Sequence, residues 1–281
     1  MLDRIREWAS REQDIRTLLM VGSRGGNGKT DKLSDYDISV FGPFEEWSIS
    51  DEWLLKLSPY WICIRDQFQW AEKVIPTRLV IFKSGIKVDF AFHPSRFLEQ
   101  MIQSRQLFPA YDSGYMVILD KDEIATQLPH ATFTGFIRQV PGQEEFSYAW
   151  NEFWFEAYHV AKYLRRADFW IAGTRDNAMK KWLLKMMEWY AASKPGFQLA
   201  IGNEGKNLQA WIDEKYYCRL ESCFSGCDQS GGINALYATL DLFSDLSKET
   251  AATLSLSLNT EIGEGMRSII TDIISFSDVK E

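Results

Sequence analysis

Leu2, Ile5, Trp8 and Ala9 recur at intervals of three and four and predict an amphipathic helix over Leu2–Gln13. A short run from Ile15 to Val21, closed by Gly22, reads as a buried strand. Residues 24–34 are polar and glycine-rich and read as a loop. Tyr36–Phe41 then alternates as a second strand, closed by Gly42-Pro43. Residues 51–57 read as helical, and Cys63 stands in an apolar, strand-like run where burial is expected. Thr77–Phe82 and Ile86–Phe92 are strands joined by Lys83-Ser84-Gly85, a hairpin pattern. Ser95 is placed to cap a helix running to about Arg105, and Tyr115–Asp120 is a short strand.

After Pro141-Gly142 the period changes. Phe146–Phe169, Thr174–Ser193, Asn207–Lys215 and Asn234–Lys248 favour helix, and Met266, Ile269, Ile270 and Ile273 mark one face of a helix over Gly263–Ser275. Strands mixed with helices, followed by helices alone, predict an α+β domain over residues 1–138 and an α-helical bundle domain over 139–281. No internal repeat or low-complexity segment interrupts either part.

The chain has 281 residues, 46% of them apolar and 25% charged, which excludes disordered, collagen-like and coiled-coil classes. Its 39 acidic residues outnumber 31 Lys and Arg, an acidic balance that suits neither nucleic acid nor an anionic membrane surface. The excess is uneven: 17 bases against 19 acids over residues 1–140, but 14 against 20 over residues 141–281. The second half therefore suits either a cationic partner or a solvated acidic surface. The spacing of Cys218, Cys223 and Cys227 matches no common zinc pattern. The opening residues resemble no signal peptide, and no apolar stretch is long enough to span a membrane, so a cytoplasmic protein is expected.

The chemistry-bearing stretch is Gly22-Ser23-Arg24, then Ser34-Asp35-Tyr36-Asp37-Ile38, then Val88-Asp89-Phe90. A strand that delivers Gly22-Ser23 into a turn can aim backbone amides at an anion, and glycine permits close approach. Asp35 and Asp37, two apart on a strand, share a face, and Asp89 faces opposite to Val88 and Phe90. Three carboxylates converging on a sheet edge require a cation. Mg²⁺ takes oxygen ligands and is held by one or two carboxylates plus substrate phosphates, a site suited to phosphoryl or nucleotidyl transfer.

This order resembles the nucleotidyltransferase superfamily that includes DNA polymerase beta, whose motif is Gly-Ser, a spacer, Asp-x-Asp and a third Asp on a later strand. Together with Asn151-Glu152-Phe153-Trp154, Val160-Ala161-Lys162, Lys185-Met186-Met187-Glu188-Trp189-Tyr190 and Gly205-Lys206-Asn207-Leu208, it is similar to the aminoglycoside 6-adenylyltransferases over most of the chain. The resemblance implies a polymerase-beta-like domain followed by a helical domain. It also implies transfer of AMP from ATP to a hydroxyl of a streptomycin-like aminoglycoside, with Mg²⁺ as cofactor, pyrophosphate as product and antibiotic resistance as outcome. It places Gly22, Ser23, Arg24 and Lys162 at the triphosphate, and Asp35, Asp37 and Asp89 at the metal and the chemistry. Asp89 either completes the metal site or activates the acceptor hydroxyl. The implied partners are ATP and a small cationic acceptor, for a monomer or homodimer.

Other readings keep part of this picture. Ser23 to Thr30 nearly spells a phosphate-binding GxxxxGK[ST] loop, but that motif must run into a helix, whereas here the next element is a strand. The same site could serve another acceptor, such as a lincosamide, another aminoglycoside or a protein side chain, or a regulatory protein that binds nucleotide without turnover. Arg24 suits phosphate or a surface acid equally. His93, His130 and His159 are scattered; His93, just after the third-Asp strand, is in reach of nucleotide but is expected to be structural or exposed. Glu152 and Glu156 suit helix-surface partners or a bound guanidinium. Thr174 reads as a helix cap, and the rings of Trp150, Phe153, Trp154, Phe155 and Tyr158 as core, with one free to stack on adenine.

Overall fold

The computed structural model describes residues 1–26, 30–42, 50–70, 73–135, 139–194, 196, 203–224, 226 and 228–276. The chain divides into two compact units, Met1–Phe136 and Ile137–Glu281.

The first unit is a six-stranded mixed sheet with helices on its faces. Its elements are α1 (Leu2–Arg11), β1 (Thr17–Val21), α2 (Gly22–Gly25), β2 (Tyr36–Phe41), α3 (Trp53–Leu57), β3 (Tyr60–Trp70), β4 (Lys73–Phe82), β5 (Lys87–His93), α4 (Arg96–Ser104), α5 (Pro109–Asp112) and β6 (Met116–Asp120). Strand order is β3-β4-β5-β2-β1-β6, antiparallel throughout except for the parallel pair β2 and β5. Period-two alternation sorts each central strand. Ile38 and Val40 of β2 and Val88, Phe90 and Phe92 of β5 are buried in a core with Ile5, Trp8 and Trp53. There Trp8 stacks on Trp53 at 4.6 Å, and Trp53 stands edge-on to Phe90 at 4.9 Å. Leu19 and Phe41 join a second core with Phe97, Leu98, Met101 and Tyr111 of α4 and α5.

The second unit is helical: α6 (Gln143–Arg165), α7 (Phe169–Ala192), α8 (Glu214–Tyr217), α9 (Leu220–Cys223), α10 (Gln229–Leu254) and α11 (Thr260–Ser275). Its core joins Trp150, Phe153 and Trp154 of α6 to Met186 and Trp189 of α7 and Leu240, Phe243 and Leu246 of α10. Phe153 lies flat on Phe243, with ring centroids 3.5 Å apart. The similarity over Lys185–Tyr190 is therefore carried largely by packing, since Met186, Met187, Trp189 and Tyr190 are all buried. No helix among the described residues is long and apolar enough to cross a membrane.

Several expectations need correction. The loop expected from residue 24 begins with a helical turn, α2, which already contains Gly22 and Ser23. Cys63 is half-buried because β3 is an edge strand. Ser95 stands at the start of α4 but makes no side-chain capping bond. Thr174 lies inside α7 and donates to Trp170 O at 3.0 Å; the chain breaks earlier, where Ala167 adopts φ +56°. The helix expected over Asn207–Lys215 is instead a 3₁₀ turn, Leu208–Ala210, followed by α8. Helix α10 begins before Asn234, capped by Asp228, whose carboxylate accepts from Gly231 N at 2.7 Å.

Candidate active site

Three neighbouring strands bring the sequence motifs together. Val21 of β1 stands opposite Asp37 of β2, and Asp37 stands beside Asp89 of β5. The turn at Gly22-Ser23 and both carboxylates therefore share one end of the sheet. Their face is the one opposite Ile38, Val88 and Phe90.

Gly22 adopts φ +66°, and a Cβ built on it would lie 2.0 Å from Asp37 Oδ2. The Asp37 carboxylate thus lies against the bare glycine backbone, in space that any side chain would fill. In this structure the group that approaches Gly22 closely is a carboxylate of the protein itself.

Arg24 turns back onto its loop, where the hydrogen bond from Leu33 N and, to a lesser degree, the Arg24 charge help hold the exposed acid Asp31 below the ordinary carboxylate range. Its guanidinium donates to Ser34 O at 2.8 Å, Asp35 O at 3.1 Å and Asp31 O at 3.0 Å, and lies 4.3 Å from the Tyr36 ring. It braces the segment that delivers Asp35 into β2. Described residues 30–35 lead into β2 with no helix, which removes the structural context a phosphate-binding GxxxxGK[ST] loop requires. Lys29 itself lies outside the described residues.

Lys87 is the group the sequence motifs do not reveal. Its Nζ donates to Asp35 Oδ2 at 2.9 Å and to Asp89 Oδ2 at 2.7 Å, bridging two of the three carboxylates. Partial burial pulls the ammonium pKa down, but the hydrogen bonds to Asp89 and Asp35 outweigh it and hold the pKa above its ordinary value. Asp89 Oδ1 is buried and has no hydrogen-bond partner among the described residues. Beside these groups a cavity of about 290 Å³ is lined by Asp37, Asp89, Phe68, Phe97, His93 and Tyr111.

His93, itself buried, is one of the residues lining that cavity. Its ring stacks on Phe41 at 5.2 Å, and Nε2 is 3.4 Å from Tyr111 Oη, which donates to Ser39 Oγ at 3.0 Å. Burial lowers the His93 pKa to about 4, so the imidazole is neutral near pH 7. His130 is exposed, and His159 Nδ1 is 2.8 Å from Phe155 O.

The donor set suits a divalent cation. All three groups are carboxylates, an ammonium already occupies a cation position between two of them, and Asp89 Oδ1 is an orphaned buried acceptor. No group of three or more His, Cys, Asp or Glu side chains is arranged to hold a metal among the described residues. Asp35, Asp37 and Asp89 thus do not by themselves form a closed cation site among the described residues. Cys223 is buried and Cys218 exposed, while Cys227 lies outside the described residues.

The second unit holds the remaining candidates. Lys162 Nζ lies 5.0 Å from the Tyr158 ring. Glu156 is buried and accepts from Arg175 Nη1 at 3.2 Å, so an internal guanidinium already occupies it. Glu152 is half-buried on the same helix. Trp150, Phe153 and Trp154 are core, whereas Phe155 is exposed beside His159.

Comparison with known proteins identifies the family. The family described as streptomycin adenylyltransferase matches residues 1–273. An aminoglycoside 6-adenylyltransferase of Campylobacter jejuni is 26% identical over 259 residues, covering 90% of this chain and 87% of that protein. One from Bacillus subtilis (strain 168) is 27% identical over 267 residues, covering 91% and 90%. A crystal structure of an aminoglycoside 6-adenyltransferase from Bacillus subtilis covers 98% of each chain at 22% identity, with a TM-score of 0.48. The family match runs through both units and includes every strand that carries the site, and the chain belongs to the streptomycin adenylyltransferase family of nucleotidyltransferase enzymes.

Proposed function

We propose that this enzyme transfers AMP from MgATP to a hydroxyl of a streptomycin-like aminoglycoside and releases pyrophosphate. The observation that carries the reading is the placement of Gly22, Asp37 and Asp89 at one end of three adjacent strands, with Asp35 and Asp89 already sharing a cation.

Asp35 and Asp37 would hold Mg²⁺. Bound there, the ion supplies charge that stabilises the triphosphate and the developing charge of an in-line displacement. Gly22 fixes where the Asp37 carboxylate stands, and Arg24 fixes the entry to β2 and hence Asp35. The backbone at Gly22-Ser23 would face the triphosphate, and the family resemblance makes Lys162 a further candidate contact. The acceptor hydroxyl oxygen bonds to the α-phosphorus while the bond from α-phosphorus to the bridging oxygen breaks, and the electron pair leaves on pyrophosphate. Asp89 either takes the hydroxyl proton or completes the metal shell. Mn²⁺ binding to Asp89→Asn separates these roles, because a base can be lost without loss of metal affinity. The cavity beside Asp37 and Asp89 gives non-reacting parts of the acceptor an apolar wall with acidic groups at hand.

Pyrophosphate release from ATP and Mg²⁺ across an acceptor panel tests the reading. Turnover with streptomycin is expected. Turnover only with a lincosamide or a protein would reassign the acceptor, and none with any aminoglycoside refutes the proposal. Asp37→Asn should lose at least about a hundredfold in turnover while remaining folded, since removing a group that acts in the transition state typically costs about this much.

A further inference from the structure

We propose that Lys87 is a positioning residue that fills the cation position between Asp35 and Asp89 in the nucleotide-free enzyme and yields when a divalent cation binds. Metal then enters efficiently only in company with a nucleotide. This rests on the assignment of the aspartates to Mg²⁺ made above.

The strand register builds the arrangement. Lys87 and Asp89 are two apart on β5 and share its outward face; Asp35 and Asp37 bear the same relation at the start of β2. Parallel pairing sets Tyr36 beside Val88 and Asp37 beside Asp89, so Asp35 falls next to Lys87. The ammonium is held at 2.9 Å and 2.7 Å from one oxygen of each carboxylate. Without it, two carboxylates on adjacent strands would face each other with no counter-charge between them.

A free divalent cation entering this site must separate Nζ from its carboxylates and then tolerate an ammonium beside it. Both effects weaken binding of metal alone. A nucleotide triphosphate changes the balance, because it brings several negative charges of its own. The flexible four-carbon stem of a lysine lets the displaced ammonium turn towards those phosphates and keep an ionic partner. The same residue thus opposes metal without nucleotide and is compatible with the two together.

Mn²⁺ titration of the nucleotide-free full chain, followed by electron paramagnetic resonance, reads this directly. Lys87→Met should bind Mn²⁺ about tenfold more tightly than wild type, as expected when two partly exposed ion pairs no longer have to be broken. Lys87→Arg, which keeps the charge, should restore the weak wild-type affinity. With a non-reactive ATP analogue present, the advantage of Lys87→Met should disappear. Lys87→Gln gives the same readout if methionine at this half-buried position prevents folding. Asp37→Asn is the control for location. If it weakens Mn²⁺ binding but neither Lys87→Met nor Lys87→Gln tightens it, the placeholder role is overturned and the metal assignment stands. If Mn²⁺ binding ignores Asp37→Asn in both backgrounds, both are overturned.

Discussion

Replacing Gly22 with alanine separates the two reasons a glycine can be needed. Its φ of +66° is left-handed, which costs a residue with a Cβ about 1–2 kcal/mol. In addition, the new Cβ would lie 2.0 Å from Asp37 Oδ2 and 3.0 Å from Asp37 Cγ. An ordinary contact needs about 3.5 Å, so the carboxylate must retreat by roughly 1.5 Å. Displacing a reacting group by about 1 Å can cost a hundredfold in rate. Gly22→Ala should therefore lose about 1–2 kcal/mol of stability and about two orders of magnitude in turnover.

Gly85 supplies the matched control. It turns the hairpin between β4 and β5 at φ +80°, and nothing lies within 4 Å of its Cβ position. Gly85→Ala bears the same backbone cost without touching a carboxylate. Urea unfolding should show similar losses for both variants, while pyrophosphate release collapses only in Gly22→Ala. If the two variants turn over at comparable rates, the position of Asp37 is not what Gly22 protects, and the assigned site is wrong.

Two buried groups in the first unit give further measurable outcomes. His93 has a folded pKa of about 4 against an ordinary 6.5, so between those values the unfolded chain binds more protons and stability falls as pH falls. The loss approaches about 3 kcal/mol by pH 4. The urea midpoint of His93→Gln should be flatter than wild type from pH 6.5 to 4, and parallel curves would contradict the assignment. Arg78 is buried, and Asp51 Oδ1 accepts from its Nε at 2.6 Å while Asp51 Oδ2 accepts from Arg65 at 2.9 Å. Asp51→Ala should cost roughly 3 kcal/mol, because it strips a charge partner from a buried cation. A loss no larger than an exposed ion pair gives would show that other contacts of Arg78 suffice.

The parts of this site that were legible in the sequence are those governed by local periodicity. Alternation along Tyr36–Phe41 and Val88–Phe92 puts Asp37 and Asp89 on the face opposite the apolar residues, whatever the strands pair with. Lys87 was not legible. A lysine at the mouth of a strand reads as solvated, and its meaning depends on β5 lying parallel to β2, which brings together residues 52 positions apart. The same limit hid the role of Gly22, since its neighbour Asp37 is fixed only by pairing β1 with β2. In the helical half, local punctuation misled. Thr174 has the chemistry of a cap but bonds within its helix, and Gly231-Gly232 looks like a breaker yet lies inside α10 because Asp228 caps it. Edge strand β3 was legible only as a strand-like run around Cys63; its extent was not, because exposed Trp61, Ile62 and Ile64 stand beside exposed Arg65, Asp66 and Gln67, leaving no alternation to read.

The acidic excess of the second half bears on the acceptor more narrowly than composition suggests. Seven of its acids pair with bases of the same unit among the described residues: Glu145, Glu156, Asp176, Asp213, Asp241, Asp245 and Glu249. Each pairing lowers the worth of that carboxylate as a contact for an incoming cation, because an ammonium of the acceptor would have to displace an internal one. Pairing does not change the sum, however, since 14 bases cannot neutralise 20 acids over residues 141–281. Net charge acts at a distance and is screened by salt, whereas recognition needs particular unpaired oxygens. Attraction of a polycationic acceptor thus draws on the whole unit and should weaken with ionic strength. Its binding geometry depends on far fewer groups. On the function proposed above, Asp89 is the first candidate, since its Oδ1 has no hydrogen-bond partner among the described residues and it lines the cavity beside Asp37.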